Sequence, residues 1–265
     1  MAEGRGVRRR DAVIAAGAAA AGVGGTLAAR RALENESPLP FYGGPASLLP
    51  APDPDTPIAT DLRLVWGAPT SERVVALTFD DGPHPEWTPL VLAALDSAGV
   101  PATFFLRGDN VAAHGSLHAD SLARHELGNH TYSHTDLARL DLAAAQNEIG
   151  RCSEAMATAY GKTPTLFRPP YGHSSGAALL AAAAAGMTTV LWGGRFRESS
   201  FHTDPDGLLQ DSIGQMRPGT IFLGHDTGTP DRIHSVRILA PLIDKMQSEG
   251  WRFVTVSELL GGVGA

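Results

Sequence analysis

Two aspartates stand side by side where an apolar run stops: Asp80 and Asp81 in "VVALTFDDGPHP", Val74 to Pro85. Adjacent like charges at the edge of a core are costly unless something compensates them. A second pattern offers the compensation. "HTYSH" sets His130 and His134 four residues apart. On a helical turn that spacing puts both imidazoles on one face, ready to chelate one metal ion. By itself H-x-x-x-H is a weak signal, because two surface histidines on a helix fit it as well. With an aspartate as third ligand, two His and one carboxylate leave positions free for water, the pattern of a catalytic rather than a structural site. One aspartate can then ligate the ion while the other stays near as a base for the water, and the cation makes the paired carboxylates tolerable.

Two further stretches suit a hydrolytic site. "LFRPPYGH" places Arg168 before two prolines that fix the backbone. Arg168 can orient a carboxylate and keep it ionised, although a structural salt bridge uses the same residues. The rigid turn can aim the Tyr171 N–H at a developing oxyanion. "IFLGHD" ends an apolar run on His225, a candidate general acid near neutral pH.

The elements that must position these residues alternate. Strands are expected at Val74–Phe79, Ala102–Leu106, Leu127–His130, Leu166–Arg168, Thr188–Trp192, Thr220–Leu223 and Arg252–Thr255. Helices are expected between them: one from Thr88–Pro89, with Thr88 as N-cap, to Gly99; one near His118–Glu126; a long one from Asp141 to Tyr160; then Gly176–Ala185, Gly207–Gln215 and Ser235–Glu249. Seven strand–helix units mean a parallel sheet with helices outside. An open doubly wound sheet and a barrel both fit. The reactive residues fall just after the strands, where a barrel gathers them at one mouth, and this favours a distorted (β/α)7-type barrel in a single α/β catalytic domain.

"TFDDGP", "HTYSH", "RPPYG" and "LGHD", in this order and at these strand ends, resemble the polysaccharide deacetylases of the NodB-homology, carbohydrate esterase family 4 group. The likeness spans about Val74 to Leu260. It implies hydrolysis of N-acetyl, sometimes O-acetyl, groups on a glycan such as peptidoglycan or a chitin-like polymer. Carried over by position, it implies Asp80 as catalytic base, and Asp81, His130 and His134 as ligands of one divalent ion, usually Zn2+, with Co2+, Ni2+ or Mn2+ as alternatives. It implies Arg168 as the residue holding the base, Tyr171 as oxyanion donor and His225 as acid to the leaving amine. Pro170, Tyr171, Trp192 and Leu223 are expected at the substrate groove.

One motif departs from the family. Past the fifth strand such proteins often carry Asp-x-x-Asp-Trp, whose first aspartate charges the acid histidine. Here the chain reads "LWGGRFRESSF", with Arg195 in that place, Glu198 at the second acid and Ser199 at the Trp. A nearby Arg195 would depress the pKa of His225. Glu198, Asp204 and Asp206 are candidate substitutes for the missing acid, and Phe201 for the groove wall. A catalytically slow, metal-loaded glycan-binding protein and a metal hydrolase of a small amide or ester remain as alternatives.

Composition bounds the rest. The 265 residues are 43% hydrophobic and carry a net charge of -7, a poor basis for nucleic-acid binding. A single cysteine, Cys152, excludes an intrachain disulfide. Arg8 to Arg10 precede an uninterrupted small apolar run, Ala12 to Ala29, the layout of an export signal, here of twin-arginine type. Residues 1–29 are therefore expected to be a signal peptide, 30–70 a Pro- and Gly-rich linker or wrapping segment pinned in part by Phe41, Tyr42 and Trp66, and 71–262 the catalytic domain. The expectation is an extracytoplasmic, secreted or envelope-associated monomer. It would meet a membrane only during export or through an uncleaved anchor.

Overall fold

The computed structural model of the chain describes residues 61–261. The expected signal peptide and most of the expected linker lie outside them. Nine strands among the described residues form one sheet. They are β1 Leu64–Val65, β2 Val74–Asp80, β3 Thr103–Leu106, β4 Glu126–Asn129, β5 Leu166–Phe167, β6 Thr188–Val190, β7 Gly194–Arg195, β8 Thr220–His225 and β9 Arg252–Phe253. Their order is β1–β6–β5–β4–β3–β2–β8–β7, with β9 beside β2, and every pairing is parallel. The sheet curls, as the reactive residues placed after the strands led one to expect, and helices cover it: α1 Thr88–Ala98, α2 Gly108–His114, α3 Ala119–Leu122, α4 Leu142–Tyr160, α5 Gly176–Ala184, α6 Pro205–Gln215, α7 Ile233–Ser248 and α8 Val256–Gly261.

The end of the expected linker belongs to this sheet. β1 pairs with β6, and Gly67 makes an isolated bridge to Thr220 at the start of β8. Val65 packs against the core, whereas Trp66, expected to pin the segment, is 61% exposed.

β2 organises the site. All seven of its residues are buried, as in a strand covered on both faces. Side chains alternate between faces along a strand. Val75, Leu77 and Phe79 join the cluster that includes Leu92 and Leu95 of α1 and Leu239 and Leu242 of α7. Val74 and Ala76 join a second cluster with Phe105, Val190, Ile221 and, from α8, Val256 and Leu259. By the same alternation Thr78 and Asp80 share the second face, so the last strand residue projects from the inner face at the open end.

Several helix boundaries follow side-chain caps. Asp141 accepts from Ala144 N at 2.8 Å to start α4, Ser175 from Ala178 N at 3.2 Å to start α5, and Asp204 from Gly207 N at 2.8 Å to start α6. Thr88, expected as a cap, is instead the first residue of α1, and its hydroxyl donates to Asp226 Oδ2 at 2.6 Å. The helix expected near His118–Glu126 shrinks to α3, because Glu126 pairs in β4 and Ala102 N donates to His125 Nδ1 at 3.3 Å. His125 is accordingly buried.

Candidate active site

Consecutive strand residues face opposite ways, yet Asp80 and Asp81 both bring a carboxylate oxygen near His130 Nε2, at 3.8 Å and 3.6 Å. The backbone resolves this. Asp80 ends β2, and Asp81 turns out of it with φ +79°, a left-handed conformation uncommon outside glycine. Asn110 Nδ2 donates to Asp81 O at 2.7 Å and holds the turn. Among the described residues four non-glycines have positive φ: Asp81, Thr131, His134 and Tyr171. All four lie in the motif segments, where strain concentrates when the surroundings over-determine it.

His130 and His134 do converge, but not on a helix. His130 follows β4, and the chain then loops through Thr131 (φ +66°) to His134 (φ +60°). Local side chains compete successfully for the backbone. Asn129 Oδ1 accepts from Thr131 N at 2.9 Å, and Thr131 Oγ1 accepts from His134 N at 3.1 Å. The two rings end with centroids 5.1 Å apart.

The donor set fits a divalent cation. One ligand atom from each of Asp81, His130 and His134 lies within 4.8 Å of the others. Asp81 Oδ1 is buried without a well-formed hydrogen bond, 3.1 Å from His134 Nε2 and 3.6 Å from His130 Nε2. His130 Nδ1 lies 2.7 Å from Arg168 O. A carbonyl can only accept, so Nδ1 carries the proton and Nε2 presents its lone pair to the site. Burial outweighs the neighbouring aspartates and lowers the His130 pKa, favouring the neutral, ligating form. Burial would raise the Asp81 carboxyl, but the close His134 contact and the charges of His130, His225 and His134 together hold it well below the usual range.

Arg168 is fully buried at the end of β5. Its Nη1 donates to Asp80 Oδ1 at 2.6 Å and to Thr78 Oγ1 at 2.8 Å, Nε donates to Val190 O at 3.1 Å, and Nη2 to Leu191 O at 3.2 Å. The guanidinium lies 4.0 Å above the Phe105 ring. Asp80 Oδ2 is left facing His130 Nε2 at 3.8 Å. Past Arg168, Pro169 and buried Pro170 lead into a tight turn in which Tyr171 takes φ +61°. Its ring, 60% exposed, stands edge-on to His134 at 4.7 Å. Trp192 backs the turn, so close to Gly172 that a Cβ there would sit 2.8 Å from its ring.

His225 ends β8 in register with Asp80. It lines a cavity of about 260 Å³ with Leu223, Arg195, Glu198 and Arg232. The cation that perturbs it is not the expected Arg195. Burial first, and then Arg232 rather than Arg195, push its pKa down to about 4 against the pull of Asp80 and Asp81. Among the described residues no carboxylate hydrogen-bonds His225: Glu198 shares its cavity without a bond to it, and Asp204 is occupied capping α6. Phe201 packs against the core instead of walling the groove. Nearby, His84 Nδ1 accepts from Glu86 N at 3.1 Å and His173 Nδ1 contacts Asp136 Oδ2 at 3.0 Å.

Sequence reasoning missed Asn110 and Arg232, which touch Asp81 from 29 and 151 residues away, and Thr78, which shares Arg168 with Asp80. Of these, Thr78 had a signal: a polar residue inside an apolar run, two before Asp80.

Residues 67–190 match the family model described as polysaccharide deacetylase. The chain is 36% identical over 206 residues to a peptidoglycan-N-acetylglucosamine deacetylase of Bacillus cereus, covering 74% of this chain and 92% of that protein. It is 34% identical over 210 residues to a chitooligosaccharide deacetylase of Bradyrhizobium sp., covering 75% and 95%. Among solved structures it is similar to the Bc1960 peptidoglycan N-acetylglucosamine deacetylase in complex with 4-naphthalen-1-yl-N-oxidanyl-benzamide, with TM-score 0.70, 32% identity and coverage of 75% of this chain and 92% of that one. A family 4 carbohydrate esterase from Streptomyces lividans in complex with acetate gives TM-score 0.62 at 29% identity, covering 69% and 93%.

Proposed function

The chain belongs to the polysaccharide deacetylase family, and we propose that it is a metal-dependent hydrolase removing acetyl groups from an extracytoplasmic glycan, peptidoglycan or a chitin-like polymer before acetylxylan. The observation that carries this reading is the meeting of an Asp81–His130–His134 donor set with a second carboxylate, Asp80, locked by buried Arg168. A mixed His and carboxylate set suits zinc first, with Co2+, Ni2+ or Mn2+ as alternatives. Bound there, such an ion would polarise an acetyl carbonyl and acidify a water.

The chain's own groups would do the rest. Asp80, one oxygen held by Arg168 and the other turned to the site, would take the proton of the attacking water. The Tyr171 N–H would stabilise the developing oxyanion. His225, beside Asp80 on the next strand and neutral near pH 7 in the free protein, would have to take up a proton in the substrate complex before delivering it to the departing nitrogen, without which an amine is a poor leaving group. Pro170, Tyr171, Trp192 and Leu223 would wall the groove for the sugar. The basic and then apolar stretch from Arg8 to Ala29 supports export to where such polymers lie, with the protein acting as a monomer.

The test is acetate release by the zinc-loaded protein on chitooligosaccharides, peptidoglycan and acetylxylan in parallel. Turnover on one of the first two, abolished by Asp80→Asn and by chelation, is the expected result. A second reading is favoured by Arg195 and by the lack of a carboxylate on His225: a metal-loaded glycan binder with little turnover. It would give glycan affinity and bound zinc, with no acetate from any substrate.

A further inference from the structure

Asp81 is gripped from outside the ligand set. Arg232 Nη1 donates to Asp81 Oδ2 at 2.8 Å and to Thr227 O at 2.7 Å. The guanidinium thereby ties the loop after β8 to the end of β2. Its seat is made by Gly228: at φ +123° the glycine lies against the side chain, and a Cβ there would collide with Arg232 Nη1 and Cδ. With Oδ2 taken, Oδ1 is the oxygen left buried, poorly paired and facing both imidazoles. Asn110 fixes the same residue through its carbonyl, so side chain and backbone are held separately.

We propose that Arg232 is the positioning residue of the metal site: by occupying Oδ2 it selects Oδ1 as the single ligand oxygen of Asp81 and holds it turned to His130 and His134 before an ion arrives. The inference rests on reading those three residues as metal ligands. Outer partners of this kind orient ligands, and their loss weakens metal affinity by roughly 10- to 100-fold. Charge alone predicts the opposite sign, because a guanidinium repels a divalent cation and its removal would tighten binding. The two accounts are therefore separable by one measurement.

That measurement is the zinc affinity of the full chain, read by competition with a chromophoric chelator and needing no substrate. Arg232→Met, which keeps the aliphatic stem, is expected to bind zinc at least about 10-fold more weakly than wild type. Arg232→Lys, which keeps a cationic donor, is expected to recover part of the loss. Gly228→Ala keeps the arginine but fills its seat, and is expected to weaken binding too. If wild type binds zinc and Arg232→Met binds it equally well or more tightly, the Arg232 assignment is overturned while the metal-site reading stands. If wild type takes up no zinc, both are overturned. Should Arg232→Met fail to fold, Gly228→Ala decides, and an unchanged affinity there overturns the assignment.

Discussion

Asp80 and His225 are register partners on adjacent parallel strands, β2 and β8, although 220–225 is the last long strand of the chain and 74–80 the first. The pairing brings a candidate base and a candidate acid to the same strand ends. Arg168 reaches the same point from β5 and touches Asp80 but not His225. The two groups proposed to move protons in opposite directions are thus neighbours on adjacent strands.

The Arg168–Asp80 contact is a buried ion pair with a side-chain hydroxyl and two carbonyls completing the guanidinium's bonds. Removing one partner of such a pair leaves an uncompensated buried charge and costs about 3–5 kcal/mol. Arg168→Met is expected to lose about that much stability in urea unfolding and to release acetate at least about 100-fold more slowly. Arg168→Lys is expected to rescue neither, since an ammonium cannot span the four acceptors of the planar fork. Near-normal activity in the lysine variant would sink this account of how Asp80 is held.

Asp226 and His225 make opposing contributions to acid stability. Burial, with Asp81's charge adding and the Thr88 hydrogen bond opposing, pushes the Asp226 carboxyl up from 3.8 to about 7. Between those values the folded state binds more protons than the unfolded, so this group favours folding at acid pH and withdraws that support as pH rises through 7. His225, pushed down from 6.5 to about 4, does the reverse: stability is lost as pH falls through that window. In chelated protein the two slopes offset each other. Asp226→Asn removes one of them, so its melting temperature relative to wild type should climb from about pH 4.5 to pH 8. A difference that stays flat across that range would contradict the assigned shift.

Gly172 shapes the turn that presents Tyr171. Its φ is +71°, and a Cβ would sit 2.8 Å from the Trp192 ring. Gly172→Ala should therefore displace the turn, and misplacement by about 1 Å in a catalytic site can cost about 100-fold in rate. The expected result is a large fall in kcat with zinc affinity unchanged, because Gly172 touches no member of the donor set. A wild-type kcat would remove the turn from the catalytic scheme.

How much of this was legible depended on distance along the chain. Asp80, Asp81, His130, His134, Arg168 and His225 stood out because polar groups at the ends of apolar runs cost energy and ask for a reason. The alternation of strands and helices was equally readable, as at Asp141, which caps α4 from within three residues, whereas Asp204, expected as a substitute acid, instead caps α6, which begins at Pro205 rather than Gly207. The helical reading of "HTYSH" failed at Asn129, whose side chain captures the Thr131 N–H and sends the chain into a loop. α2 went unforeseen: it opens on Gly108 and includes Asp109 and Asn110, all weak helix formers, and it is seated by bonds from Gly108 N and Asp109 N to Thr131 O and Tyr132 O.

The sequence by itself determined the residue types of the site, the parallel α/β plan and the order in which the motifs meet the strand ends, because strand period, capping and charge placement act over a few residues. Tertiary structure alone decided which oxygen of Asp81 faces the histidines, which cation lowers the His225 pKa, and that Thr88 serves Asp226 rather than its own helix. Those outcomes depend on contacts between groups up to 151 residues apart. No local pattern encodes such contacts, because they exist only once the curled sheet has brought its strand ends together.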